Sequence, residues 1–306
     1  MAADGKTSIW WNGKLVPFAD AKTHVLSHGL HYGSGVFEGI RAYRTPKGIA
    51  IFRLKEHVER LYFSAKAYKI PMTLPFETVF QGCREVVKAN ALDECYLRPL
   101  VFLGHGQLGV YPKNVPTEVI VAAYPWGAYL GPDAIEKGIR ATVSSWQRLH
   151  HAAFPCSAKG AGQYLNSTLA VREAREKGFE EAILLDRNGN VSEGSGENIF
   201  VVKNGRIATP GLDSSILEGI TRDSVFQIAK ELGYTVEVRN IVRAELYGAD
   251  ELFFTGTAAE VTPIREVDTY VIGAGVRGPI TTKIQAAYFR AVHGEDAGRG
   301  AWLTLV

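Results

Sequence analysis

The stretch Cys156-Ser157-Ala158-Lys159-Gly160-Ala161-Gly162 surrounds a single lysine with small residues. Lys159 is the only side chain with a full charge at neutral pH between Arg148 and Arg172. The small neighbours leave room for a flat ligand to approach the backbone. An amine with so few charges near it in sequence is suited to attack an aldehyde and form a Schiff base. An ordinary exposed loop lysine is the alternative interpretation, because lysines are usually solvated.

The composition is typical of a globular protein, since 46% of the 306 residues are hydrophobic and 22% are charged. That length allows one large domain or two of ordinary size. The formal net charge of +2 gives no reason to expect a nucleic acid or an anionic membrane as partner. The apolar stretch 119–132 is too short to cross a bilayer, and residues 1–7 lack the apolar segment of a secretory signal.

The cysteines Cys83, Cys95 and Cys156 are odd in number and lack CxxC spacing. This pattern suggests neither a disulfide framework nor a zinc site, and we expect no metal. It fits a reducing, cytoplasmic setting.

Hydrophobic spacing predicts both strands and helices in the first part of the chain. Asn12-Gly13 between two apolar runs is the strongest short signal for a hairpin, here over residues 9–16. The alternation from Val36 to Tyr43 predicts one strand with Phe37, Gly39 and Arg41 on the same face. The other elements that the spacing predicts are strands over 48–54, 94–103 and 117–124, and helices over 54–68 and after Pro75.

The part beyond residue 139 shows strand signals over 139–146, 182–186, 198–202, 234–238 and 251–255. It also shows a helix from Thr221 to Leu232, with Gly233 in the position that ends helices. We therefore expect an α+β (mixed α/β) protein of two domains with a cleft between them. The expected division is a small N-terminal α+β domain over 1–127, a linker over 128–138, and a larger C-terminal domain over 139–306 that carries Lys159.

Two segments, Gly104–Gly109 and Gly273–Gly278, match the G-x-G-x-x-G pattern of dinucleotide sites. That mechanism needs a strand before the glycines and a helix opening on them within a βαβ unit. The first match runs into Pro112, and the second is followed by Pro279 with little chain remaining. Loop turns explain both segments better than a nucleotide site.

If Lys159 holds an aldehyde cofactor such as pyridoxal phosphate, the chain must also bind the pyridine nitrogen, the ring oxygen and the phosphate. Glu193, in the glycine-rich run 192–198, is the candidate for the pyridine nitrogen, although a solvated glutamate is the alternative. Tyr164 is the candidate donor to the ring oxygen, and a core tyrosine is the alternative.

Two turns offer backbone N–H groups and hydroxyls for the phosphate. They are residues 217–222, which lead into the Thr221 helix, and residues 255–259, which follow a strand. Helix capping explains the same residue types without a ligand. Arg60, on the first helix, is a further candidate, although helix arginines are usually solvated.

Tyr96 and Arg98 lie two residues apart in a strand and therefore point to the same face. A buried arginine between Leu97 and Leu100 is costly unless it is paired. A substrate carboxylate is one candidate partner, and an internal salt bridge is the other.

Taken together, these segments resemble the branched-chain amino acid aminotransferases of fold type IV, with a close match to bacterial members. They occur in the same order along nearly the whole chain, which is more specific than any single motif. The segments that carry the resemblance are His31–Arg41, Tyr96–Pro99, Ala123–Gly131, Ser157–Gly160, Ser192–Asn198, Gly219–Arg222 and Thr255–Glu260.

The resemblance implies pyridoxal 5′-phosphate as cofactor. It also implies ping-pong transfer of the amino group between L-leucine, L-isoleucine or L-valine and 2-oxoglutarate, with Lys159 as the catalytic residue. The implied cofactor-binding residues are Arg60, Lys159, Tyr164, Glu193, Leu217, Gly219, Ile220, Thr221, Gly256 and Thr257. The implied substrate-binding residues are Tyr32, Phe37, Gly39, Arg41, Tyr96, Arg98, Val110, Trp126, Tyr129, Thr257, Ala258 and Ala259.

The resemblance further implies a homodimer or a higher homo-oligomer such as a hexamer, in which the loop with Leu108 and Val110 reaches the partner's site. Three other functions stay open. A D-amino acid or (R)-amine transaminase would share the lysine and the glutamate. A cysteine hydrolase would pair Cys156 with His150 or His151, and a binding protein would have kept the fold without the activity.

Overall fold

The computed structural model describes residues 7–127, 130–131 and 133–306. Its strands are β1 (Ser8–Trp11), β2 (Lys14–Pro17), β3 (Gly35–Phe37), β4 (Ile40–Thr45), β5 (Gly48–Phe52), β6 (Cys95–Leu103), β7 (Thr117–Pro125), β8 (Ile139–Val143), β9 (Glu181–Leu185), β10 (Val191–Gly194), β11 (Asn198–Lys203), β12 (Arg206–Thr209), β13 (Val236–Val238), β14 (Glu251–Gly256), β15 (Glu260–Val267), β16 (Tyr270–Val271) and β17 (Leu303–Leu305). Its α-helices are α1 (His28–Tyr32), α2 (Leu54–Ala67), α3 (Phe76–Ala89), α4 (Ala134–Lys137), α5 (Tyr164–Glu176), α6 (Ile220–Glu231), α7 (Arg243–Tyr247) and α8 (Pro279–Val292). The expected mixed α+β class is confirmed.

The described chain forms two compact units. The first comprises the chain up to Trp126 together with Ala158–Gly162 and Ala291–Val306, and the second comprises Gly127–Ser157 and Gln163–Arg290. This division differs from a simple N-terminal and C-terminal split because two later segments group with the first unit. Strand β17 pairs with β5, and the backbone of Lys159 bonds to Phe37 and Ser64. These long-range hydrogen bonds join Ala158–Gly162 and Ala291–Val306 to the first unit, although both segments come late in the chain.

The sheet of the first unit has the strand order β17-β5-β4-β6-β7-β1-β2, with β3 also paired to β6. The predicted hairpin is confirmed, since Trp11 pairs with Lys14 and both Asn12 and Gly13 have positive φ angles of 47° and 95°. Helices α2 and α3 pack against this sheet and each other. Their apolar stripes fill a core that is shared with the inner face of the sheet, including Trp10, Leu61, Val79, Leu97 and Val121.

The expected single strand over 36–43 is two strands, β3 and β4, separated by Glu38 and Gly39. Both strands pair with β6 in one continuous register, because Phe37 faces Leu100 and Ile40 faces Leu97. Glu38 therefore lies opposite Pro99, whose carbonyl accepts the Glu38 N–H at 2.8 Å. Proline has no N–H to return the second ladder bond, so the pairing is interrupted at this point.

The sheet of the second unit has the order β10-β9-β8-β15-β14-β11-β12-β13, with β16 paired to β15. It mixes parallel pairs, such as β8 with β9, and antiparallel pairs, such as β11 with β14. Helix α5 packs against β9 and α6 against β14. Helix α6 ends at the predicted place, with Gly233 at a φ of 81°.

Both glycine patterns lie in loops, as the sequence predicts. The second does precede a helix, since Pro279 begins α8, a position that suits proline. However, the buried carboxylate of Glu251 accepts hydrogen bonds from the N–H groups of Ile280 and Thr281 at 2.9 and 2.7 Å. A carboxylate thus already fills the place that a pyrophosphate would take. Within the described residues, no helix is long and apolar enough to span a membrane.

Candidate active site

Lys159 lies in a loop whose backbone is held on both sides. Its N–H donates to Ser64 Oγ at 2.9 Å, and its carbonyl accepts the Phe37 N–H at 3.1 Å. The next residue, Gly160, forms an isolated bridge with Val36. A side chain at Gly160 would lie within 2.4 Å of the Tyr68 ring, so only glycine fits there. The segment around the candidate lysine is therefore fixed in place, and the side chain itself is half-buried.

Two basic side chains lie close to the ring of Phe37. Lys159 Nζ lies 5.1 Å from its centroid, and Arg98 Cζ lies 4.6 Å from the same centroid. Arg98 also lies 5.4 Å from the Tyr96 centroid. Among the described residues, Nε of Arg98 is a buried donor without a hydrogen-bond partner. Cation–π contacts hold the guanidinium while leaving this donor for an anion.

Several predicted substrate residues come together on the strands around this ring. A side chain at Gly39 would lie 1.8 Å from the Tyr96 hydroxyl, so the tyrosine occupies the space above the glycine. The Tyr96 ring packs on the Trp126 ring with centroids 4.8 Å apart. Arg41 lies over Tyr43, with Cζ 5.4 Å from the ring centroid. This part of the first unit is aromatic, with arginines at two of its positions.

Three other predicted substrate residues are not brought into this cluster by any described contact. Tyr32 is exposed and stacks on His28, with centroids 4.4 Å apart. Val110 is 92% exposed. Tyr129 lies outside the described residues.

Arg60, a predicted phosphate residue, pairs with a buried carboxylate. Its Nε and Nη2 donate to the two oxygens of Glu38 at 2.7 and 2.8 Å, and His57 Nδ1 lies 2.7 Å from Glu38 Oε2. Burial by itself would raise the pKa of Glu38, but the Arg60 charge and the hydrogen bonds from Arg60 and His57 hold that pKa far below its ordinary value. Burial lowers the pKa of His57. At neutral pH, Glu38 is therefore a carboxylate anion and His57 is a neutral imidazole.

In the second unit, the carboxylate of Glu193 is buried and oriented on both oxygens. Arg148 Nη2 lies 2.8 Å from Oε1, while Asn198 Nδ2 and the Leu217 N–H each donate to Oε2 at 3.0 Å. Glu193 stands in β10 at an irregularity in its pairing with β9, rather than in a solvated loop. A carboxylate whose orientation is fixed in this way is suited to accept a hydrogen bond from one donor in one direction.

The first turn of α6 begins at a glycine. Its N-cap is Gly219, and within the described part of the chain no side chain makes a cap hydrogen bond there. A side chain at Gly219 would lie 2.0 Å from Asn198 Oδ1, which explains the glycine. Thr221 is buried in the first turn, and the neighbouring Arg222 donates Nη2 to the Pro210 carbonyl at 2.9 Å. Helix N-termini without a side-chain cap bind anions well.

The remaining predicted cofactor and substrate residues of this unit lie at element ends. Thr257, Ala258 and Ala259 form the turn between β14 and β15, and Gly256 approaches the Gly196 carbonyl so closely that a side chain would lie at 3.3 Å. Tyr164 is the half-buried first residue of α5. Each position is at the end of a strand or helix, where backbone groups are available to a ligand.

Cys156 does not have the environment of a nucleophilic cysteine. Its thiol donates to the Leu149 carbonyl at 3.0 Å, and burial raises its pKa. His151 Nδ1 instead lies 3.3 Å from Ser215 Oγ. Reactive cysteines need a lowered pKa, so the geometry favours a structural thiol.

Sequence reasoning missed the partners that hold the predicted residues. Glu38, His57 and Ser64 in the first unit and Arg148 and Asn198 in the second were not singled out. A signal existed for Glu38, because a carboxylate within an apolar strand requires a cationic partner.

The chain matches the model of the family Amino-transferase class IV over residues 35–267. It is 49% identical to the branched-chain-amino-acid aminotransferase of Escherichia coli (strain K12) over 299 residues, which are 97% of each chain. Its structure is similar to the crystal structure of an Escherichia coli branched-chain amino acid aminotransferase, with a TM-score of 0.95, 49% identity and coverage of 97% of this chain and 98% of that chain. The branched-chain amino acid aminotransferase from Thermobaculum terrenum in its PLP-form (holo-form) matches with a TM-score of 0.92, 34% identity and coverage of 99% of both chains. The fold, the order of the motifs along the chain and these relatives all agree, and this chain belongs to the class IV aminotransferases.

Proposed function

We propose that this chain is a branched-chain amino acid aminotransferase that uses pyridoxal 5′-phosphate. It transfers the amino group between L-leucine, L-isoleucine or L-valine and 2-oxoglutarate by a ping-pong mechanism. The observation that carries the proposal is the 49% identity to an Escherichia coli enzyme of that name along 97% of both chains. A shared fold alone does not imply a shared reaction, so the proposal rests on this full-length identity together with the site residues described above.

The residues of the chain fit the cofactor. Helix α6 offers its uncapped first turn for the phosphate, and Glu193 offers a buried, oriented carboxylate for a ring nitrogen. Within the described part of the chain, Arg222 Nε and Thr255 Oγ1 are buried polar atoms without a partner. They adjoin Thr221 and Gly256 in sequence, both of which the resemblance assigns to the cofactor. Buried polar atoms of this kind are usually satisfied by a ligand or by water.

When bound, pyridoxal 5′-phosphate supplies an aldehyde carbon that takes the amino group and a ring that withdraws electrons from the substrate Cα. Lys159 Nζ would take the proton from the substrate Cα and deliver it to the cofactor carbon that takes the amino group, and it would move the proton the other way in the second half-reaction. Glu193 would accept the N–H of the pyridine nitrogen, while Arg148 and Asn198 keep its two oxygens in place. The residues proposed to hold the cofactor are Arg60, Lys159, Tyr164, Glu193, Leu217, Gly219, Ile220, Thr221, Gly256 and Thr257.

One pocket must accept an aliphatic side chain in one half-reaction and the distal carboxylate of glutamate in the other. The Phe37 ring supplies the apolar wall, and the close approach of Tyr96 to Gly39 shapes it. Arg98, held over the Phe37 ring, supplies the charge for the carboxylate. The other residues proposed for the substrate are Tyr32, Arg41, Val110, Trp126, Tyr129, Thr257, Ala258 and Ala259.

The proposal includes a homodimer or a higher homo-oligomer. Large apolar side chains of the first unit are exposed, including Val25, Leu30, Val110 and Tyr111 at 74%, 65%, 92% and 73%. Packing against a second copy would remove these side chains from water. Light scattering of the purified protein measures this directly.

The test is the visible absorption spectrum of the purified protein after incubation with pyridoxal 5′-phosphate. L-leucine alone should bleach the visible band, and 2-oxoglutarate should restore it. Bleaching by a D-amino acid or an (R)-amine, but not by L-leucine, would assign the chain to the sibling activity. Absence of any visible band would contradict the cofactor assignment.

A further inference from the structure

Both backbone polar groups of Lys159 are anchored, and the two anchors lie far from it in sequence. Ser64 Oγ accepts the Lys159 N–H at 2.9 Å across 95 residues, and the Phe37 N–H donates to the Lys159 carbonyl at 3.1 Å. Ser64 is fully buried in α2. The hydrogen bond is partly buried, and a donor in such a place that loses an acceptor costs more free energy than the net value of the hydrogen bond.

The two anchors are also tied to each other. Glu38 follows Phe37 directly, and its carboxylate binds His57 and Arg60 of α2. His57, Arg60 and Ser64 are spaced three and four residues apart, so they lie on one face of that helix. Helix α2 presents the Ser64 hydroxyl, and strand β3 presents the Phe37 N–H. The buried ion pair therefore holds this helix and this strand together.

We propose that Ser64 is a positioning residue that acts through Lys159. Its hydroxyl fixes the backbone of the lysine, and this fixes the volume that the amine can reach. Reactive groups must be held within a fraction of an ångström, since a misplacement of about 1 Å costs roughly a hundredfold in rate. The inference rests on the proposed function in one respect, namely that Lys159 is the amine that moves the proton.

The test compares Ser64→Ala with Cys83→Ala in the full-length protein loaded with pyridoxal 5′-phosphate. Each substitution removes one heavy atom from a fully buried side chain on a helix of the same core, but Cys83 lies on α3. For Ser64→Ala, kcat with L-leucine should fall by about ten- to a hundredfold while KM stays within about twofold. For Cys83→Ala, both constants should stay within about threefold of the unsubstituted protein.

Hydrogen exchange of the Lys159 amide gives a second readout that does not depend on activity. In the full chain, with or without cofactor, this amide should be strongly protected, and Ser64→Ala should speed its exchange at least about tenfold. Ser64→Cys, which keeps the shape with a larger atom and offers a poor acceptor, replaces the alanine variant if that variant does not fold.

Fast exchange of the Lys159 amide in the unsubstituted protein would overturn the proposal, and so would an unchanged kcat in Ser64→Ala. An equal loss in Cys83→Ala would also overturn it, because general packing would then explain the effect. If the unsubstituted protein shows no transamination, the proposed function fails, whereas the exchange experiment still decides whether Ser64 anchors the lysine.

Discussion

Replacing Glu38 by glutamine should destabilise the first unit strongly. Glu38 is fully buried and accepts three hydrogen bonds, two from Arg60 at 2.7 and 2.8 Å and one that involves His57 at 2.7 Å. The glutamine keeps one acceptor oxygen, but its NH₂ group faces a donor, and the mostly buried guanidinium loses its counter-charge. Breaking a buried pair on one side costs about 3–5 kcal/mol. That is a large part of the roughly 5–15 kcal/mol that stabilises a domain.

The assay is urea unfolding of the cofactor-free protein at neutral pH and fixed concentration, followed by tryptophan fluorescence. Four of the five tryptophans report on the first unit, namely Trp10, Trp11, Trp126 and Trp302. The matched control is Glu59→Gln on the same helix, because Glu59 is exposed and its Lys55 partner lies 3.8 Å away. The control should change the free energy of unfolding by less than about 0.5 kcal/mol.

A double variant separates the interaction energy between Glu38 and Arg60 from the cost of altering each side chain alone. Glu38→Gln with Arg60→Gln should cost less than the sum of the two single variants, since no charge is then left buried without a partner. A single Glu38→Gln variant within about 1 kcal/mol of the unsubstituted protein would refute the reasoning. So would strictly additive single variants.

Three further predictions concern His57, Gly219 and Cys156. Burial lowers the pKa of His57 below its ordinary value of 6.5, so the unfolded chain binds a proton that the folded chain does not. The free energy of unfolding should therefore fall as the pH drops below 6.5, by up to about 1.4 kcal/mol per pH unit from this group. His57→Asn should flatten that slope in urea titrations, and an unchanged slope would disprove the assignment. Gly219→Ala would place a carbon 2.0 Å from Asn198 Oδ1, so the dissociation constant for pyridoxal 5′-phosphate should rise at least about tenfold in an absorbance titration, and an unchanged constant would show that this contact is not needed. Cys156→Ser should keep transamination within about twofold, because the hydroxyl also donates to a carbonyl and no thiolate is used; a loss beyond about tenfold would point to a chemical role for the thiol.

Local patterns predicted the elements well where one short-range cause decides the structure. The Asn12-Gly13 hairpin and the end of α6 at Gly233 follow from backbone conformations that these residues favour. The strand expected over 36–43 was wrong in one respect, because alternation describes the side-chain faces but not the hydrogen-bond partner. Pro99, on the neighbouring strand, interrupts the ladder at Glu38.

The sequence by itself determined the classes of element, the ordered motifs and the choice of Lys159 and Glu193 as candidates, because each depends on residues close together along the chain. Only the tertiary structure decided which groups hold those candidates. Ser64 meets Lys159 across 95 residues, and Leu217 meets Glu193 across 24. Periodicity and propensity act over a few residues, whereas a buried polar group takes whichever partner the packed sheets bring to it. The residues that orient the chemistry are therefore a property of the folded chain.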